Sequence, residues 1–124
     1  MTDTKTTIKQ LKERVSRFVK ARDWEKFHSP KNLSMAIAIE AAELMEHFQW
    51  HYKEEDLKRL KERKSDIENE LADILAFILS FSNIYQIDLS KALLRKLKLN
   101  ARKYPSKLVR GKANKYTEYR VIRK

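Results

Sequence analysis

The chain has 124 residues with no cysteine, one glycine, two prolines and a net charge of +11, which excludes disulfides and thiolate metal sites and favours long helices over a turn-rich β fold. One domain is the expectation at this length, and neither MTDTKTTIKQLKERV at the N-terminus nor any later stretch has the apolar run of a leader or a membrane span, so a cytoplasmic setting is expected. Residues 1–90 carry 15 Lys/Arg against 16 Asp/Glu while 91–124 carry 13 against Glu118 alone, so the basicity is C-terminal and suits a polyphosphate, a nucleic acid or an acidic partner surface.

Ile8, Leu11, Val15, Phe18 and Val19 recur at helical spacing, predicting a first amphipathic helix over about 5–22. RDWEKFHSPKN interrupts it; Pro30 disfavours helix at Ser29, and Ser29 or Asn32 caps the next helix. That second helix is predicted from Leu33 to His51, with Leu33, Ile37, Leu44 and Phe48 facing inward and Glu40, Glu43, His47 and Trp50 on an adjacent stripe. The charged run KEEDLKRLKERKSD reads as a solvated turn of helix or a mobile connection. A third helix is predicted over 66–85 with Ile67, Leu71, Ile74, Leu75, Ile78 and Phe81 as core positions, and Glu70, Asp73 and Phe77 on one side. Asp88 is the expected N-cap of a fourth helix that places Leu89, Leu93 and Leu97 inside and stops at Pro105. The predicted architecture is an all-α bundle of four main helices over 1–105, then an irregular basic tail over 106–124 that packs on the bundle or on a neighbouring subunit.

The acidic spacings carry the chemistry. Residues three apart on a helix lie about 60° and about 4.5 Å apart, so Glu40 with Glu43, and Glu70 with Asp73, each present two carboxylates side by side. If the second and third helices pack antiparallel, the four converge, and oxygen-only ligands suit Mg²⁺ or Mn²⁺ better than Zn²⁺. Either pair alone more often marks a solvated helix face; their common position beside an apolar stripe favours a site. Glu46 stands as ligand, base or plain surface, and His47 as a structural neighbour of the site. A di-iron bundle needs Glu-x-x-His motifs on two of its helices, and none of the predicted helices carries one. Trp24 and Phe27, and later Trp50 and Tyr52, either cover the bundle ends or enclose a nucleobase. Arg22, His28 and Lys31 stand near as donors to a base edge or a phosphate, or as exposed loop residues.

RDWEKFHSPKNL, the Glu40/Glu43 pair, FQW at Phe48 to Trp50, ELADIL with Glu70 and Asp73, NARKYP from Asn100 and KYTEY near the end, taken in this order, resemble the MazG-like all-α nucleotide pyrophosphohydrolases, and within them the dCTP pyrophosphatase branch. The resemblance implies a homo-oligomer, a dimer or a tetramer built from dimers. It also implies Mg²⁺-dependent hydrolysis of a nucleoside triphosphate between the α and β phosphates, with dCTP or a modified pyrimidine relative preferred. It assigns Glu40, Glu43, Glu70 and Asp73 as metal ligands, with Glu40 or Glu43 orienting the attacking water. Trp24, His28, Trp50 and Phe77 would surround the base, and Asn100, Lys103, Tyr104, Lys115 and Tyr116 would approach the phosphates. The chain departs from the family pattern at Ile39 and Ala42, where glycines are usual, and at Val15 and Phe77, where relatives carry His and Tyr. The competing reading is a basic helical module that binds nucleic acid or protein without catalysis.

Overall fold

The computed structural model describes residues 1–119, which contain six α-helices and no strand. These residues fall into two compact units, one from Met1 to Ile87 and one beginning at Asp88.

In the first unit, α1 spans Ile8–Ala21 and opens on a capping box in which Thr7 Oγ1 accepts from Gln10 N at 3.1 Å and Gln10 Oε1 accepts from Thr7 N at 2.8 Å. Asp23 takes a left-handed backbone at φ 52, which Asp tolerates, and turns the chain into the short 3₁₀ turn Glu25–Phe27. Helix α2 spans Pro30–Glu46, and of the two possible caps Ser29 does the work, accepting from Asn32 N at 3.1 Å with Pro30 at the first helical position. The Asn32 side chain instead donates to the Phe27 carbonyl at 3.0 Å, tying the loop to the helix start.

Helix α2 ends at Glu46, five residues short of the predicted His51. Arg59 Nε donates to the His47 carbonyl at 3.0 Å, so a side chain captures an acceptor that a continuing helix would have used. Trp50 is therefore displaced from the α2 stripe into a turn. The charged connection is ordered as a 3₁₀ turn, Lys53–Glu55, and a short α3, Asp56–Glu62, that leads directly into α4, Lys64–Ile84.

Helix α4 is the axis of the unit and packs against α1, α2 and α3. The start of α2 meets the end of α4, where Tyr85 Oη donates to the His28 carbonyl at 2.9 Å. Its end meets the start of α4, where His47 Nε2 lies 3.4 Å from Glu70 Oε1. The two helices are therefore antiparallel, and this is what brings the acidic pairs into register. The fully packed apolar core is small: Val19, Leu33, Ile67 and Leu79. Ile8, Phe18, Leu71 and Leu75, expected in the core, are exposed instead. The stripes they belong to are wider than one chain covers, because α4 offers apolar residues around most of its circumference.

In the second unit, α5 spans Leu89–Lys103 and is capped by Asp88 Oδ1, which accepts from Lys91 N at 2.9 Å. Leu93 and Leu97, predicted to face inward, are exposed. Pro105 ends that helix, and the expected irregular tail contains a single turn of helix, α6 at Ser106–Val109, and a 3₁₀ turn at Tyr116–Tyr119. Gly111 adopts φ 76 between them. No single helix among the described residues is long and apolar enough to cross a membrane.

Candidate active site

Glu40, Glu43 and Glu70 each offer an oxygen, and the three oxygens lie within 4.8 Å of one another. Glu40 and Glu43 come from successive turns of α2, and Glu70 reaches them from the facing turn of α4 because the helices run antiparallel. None of these three pairs with a Lys or Arg among the described residues; the one basic neighbour is His47, 3.4 Å from Glu70. Glu40 Oε2 is buried and has no hydrogen-bond partner. Its carboxyl is pushed up to about 7, chiefly because burial penalises the charge, then through its contact with Glu43 and the charges of Asp73 and Glu70. A buried, unpartnered oxygen amid like charges, with oxygen donors converging, is the donor set that a hard divalent cation satisfies.

Asp73 stands apart from this trio: it is exposed and outside the group of mutually close oxygens. It is nevertheless near enough to raise Glu40, and both carboxylates line one cavity of about 510 Å³. The walls of that cavity are mostly apolar. Helix α1 supplies Arg14, Val15, Phe18 and Val19, and α4 supplies Ala76, Phe77 and Ser80 below Asp73. The loop between α1 and α2 closes it with Trp24 and His28.

The aromatic part of the cavity is braced. Trp24 meets Phe18 edge-on with centroids 5.8 Å apart, and the Arg22 guanidinium lies 3.7 Å over the Phe18 ring, with Nη1 donating to the Phe18 carbonyl at 2.9 Å. The His28 ring meets Phe77 edge-on at 6.5 Å, and its Nδ1 is buried without a partner. Tyr85 holds the His28 backbone from α4, so the loop that carries both rings is tied at its end. Trp50 lies outside this cavity and is 86% exposed, against 43% for Trp24. Glu46 is exposed and outside the trio.

The remaining expected substrate residues lie in the second unit. There, Tyr104 and Tyr116 meet edge-on at 6.3 Å, Lys103 Nζ lies 4.8 Å over the Tyr116 ring, and Tyr104 Oη accepts from Tyr116 N at 3.3 Å. Asn100 accepts at its carbonyl from Tyr104 N at 2.8 Å, and Lys115 is exposed. Sequence reasoning missed Arg14, Ala76, Ser80 and Tyr85. Arg14 stands four residues before Phe18, and Ser80 seven residues after Asp73, so both lay on stripes already singled out; the signal was there but their polarity masked it.

The chain is 37% identical to dCTP pyrophosphatase 1 of Bos taurus over 114 residues, covering 90% of this chain and 68% of that one. It is 34% identical to dCTP pyrophosphatase 1 of Homo sapiens, covering 90% and 67%. A solved structure of a pyrophosphatase from Archaeoglobus fulgidus superposes with a TM-score of 0.76 at 39% identity, over 79% of this chain and 92% of that one. The MazG-like family profile matches residues 35–119, which include the acidic residues of both α2 and α4, and the chain belongs to the MazG-like family.

Proposed function

We propose that the protein is a nucleotide pyrophosphohydrolase that converts a deoxynucleoside triphosphate, with dCTP or a modified pyrimidine relative as first choice, to the monophosphate and pyrophosphate. The observation that carries this reading is the Glu40–Glu43–Glu70 trio opening beside an aromatic cavity: a cation site next to a slot for a flat ring. The relatives named dCTP pyrophosphatase and the pyrophosphatase of similar fold support it.

Mg²⁺, with Mn²⁺ as the alternative, would be held by Glu40, Glu43 and Glu70, with Asp73 on the cavity side. When bound, the ion supplies charge neutralisation for the triphosphate and acidifies a water. Glu40 or Glu43 would orient a water toward the α-phosphorus, and Glu40 Oε2, which has no hydrogen-bond partner, could accept its proton. Trp24 and Phe77 enclose the base, and His28 presents a ring edge beside them. By family resemblance Trp50 would be a further base contact, and Asn100, Lys103, Tyr104, Lys115 and Tyr116 would be phosphate and substrate contacts.

The working form is a homo-oligomer, a dimer or a tetramer. Met35 and Ile39 on α2, and Leu71 and Leu75 on α4, are each more than two-fifths exposed, apolar area that a second copy would cover. Ile39 occupies a position where the family usually has glycine, so this chain adds apolar area there.

The test is turnover of a panel of canonical and modified dNTPs with Mg²⁺, and again after Glu43→Ala and Asp73→Ala. Loss of turnover with helical content intact is the expected result. Unchanged behaviour of both variants, or no turnover on any nucleotide, would leave a basic binding module in its place.

A further inference from the structure

The cavity between α1 and α4 has a direction. The Lys12 carbonyl accepts from Asn83 Nδ2 at 2.9 Å, and Lys12 Nζ donates to the Ile87 carbonyl at 3.0 Å, so the start of α1 lies at the end of α4. Moving from Val19 back to Arg14 on one wall is therefore moving from Ala76 forward to Ser80 on the other. Glu40 and Asp73 hold one end of the cavity. Ser80 follows Asp73 by seven residues, about 10.5 Å of helix. A nucleoside spans most of that length from its 5′ oxygen to the far edge of a pyrimidine. Phosphates at the carboxylates and a base between Trp24 and Phe77 thus bring the far edge of the ring level with Ser80 and Arg14.

Both are polar side chains on a lining that is otherwise mostly apolar. Ser80 is 4% exposed on the central helix, yet lines the cavity. Arg14 is exposed at the rim, and its described partner is the Met1 thioether, 3.3 Å from Nη2, a weak acceptor that uses one of five donors. A guanidinium only donates; a hydroxyl donates or accepts.

We propose, resting on the pyrophosphohydrolase reading, that Arg14 is a specificity-determining residue that reads position 4 of a pyrimidine ring, with Ser80 as a contact common to all of them. Arg14 donates to a 4-oxo group and gains nothing from a 4-amino group, so it admits uracil- and thymine-type bases alongside cytosine. Ser80 serves either group.

Steady-state kinetics with dCTP and dUTP test this on the wild type, Arg14→Met and Ser80→Ala. Arg14→Met is expected to lower kcat/KM for dUTP about fivefold more than for dCTP, mostly through KM, and Ser80→Ala to lower both about equally. Arg14→Lys, which keeps the charge but loses the fork, should fall between. A dCTP to dUTP ratio that stays put or moves toward dUTP in Arg14→Met overturns the proposal while leaving the pyrophosphohydrolase reading intact. A wild type that releases pyrophosphate from no nucleotide overturns both.

Discussion

Replacing Glu40 with Gln should stabilise the metal-free protein while destroying its response to divalent cations. The acidic oxygens of Glu40, Glu43 and Glu70 lie within 4.8 Å of one another, and at that separation a like-charged pair repels by about 3.5 kcal/mol at an effective dielectric of 20. Solvent screening and proton uptake at Glu40 reduce this, leaving on the order of 1–3 kcal/mol gained by the amide, or roughly 3–10 °C in Tm for a chain of this size. The pH dependence has a definite sign. Glu40 titrates at about 7 in the fold against 4.5 for an ordinary carboxyl, so between those values the folded state holds a proton that the unfolded state has lost. Its contribution is fully present below pH 4.5 and is lost as pH rises to about 7. Thermal unfolding in EDTA should therefore show the Gln variant above wild type at pH 8 and nearly level with it at pH 4.5. Added Mg²⁺ or Mn²⁺ should raise the wild-type Tm more at pH 8 than at pH 5.5, because binding must displace that proton, and should leave Glu40→Gln nearly unmoved. A Gln variant less stable than wild type in EDTA at pH 8, or a wild type indifferent to both ions, would refute the electrostatic account.

Trp24→Ala should raise KM by about 5- to 150-fold, the range that loss of ~1–3 kcal/mol of base stacking implies, with kcat little changed in steady-state assays. Removing the imidazole in His47→Ala frees Glu70 from its 3.4 Å neighbour, and Mn²⁺ affinity measured by calorimetry should weaken about 10- to 100-fold. Ile39→Glu places a charge on the exposed apolar run of α2, and light scattering should report a smaller assembly than wild type.

Helix positions and caps were legible because the signals are local. Ser29 before Pro30, Asp88 before its leucines and the apolar spacing of each segment act within one or two turns. The Glu40–Glu43–Glu70 convergence was legible too, since once two acidic helices pack antiparallel their spacing fixes which carboxylates meet. What escaped was set by distant contacts. The end of α2 depends on Arg59, twelve residues beyond His47, which no pattern in the helix itself announces. Core membership failed at Leu71, Leu75, Leu93 and Leu97 because apolar periodicity marks a face to be covered without saying what covers it. Asp73 shows the limit of spacing arguments: its turn is right, but its oxygens do not join the close trio.

The most direct test of the reaction is hydrolysis of dCTP in ¹⁸O-labelled water with Mg²⁺, with mass analysis of both products. In-line attack at the α-phosphorus places the label in the monophosphate and leaves the pyrophosphate unlabelled. Label in the pyrophosphate, or products that are a diphosphate and inorganic phosphate, would contradict the account.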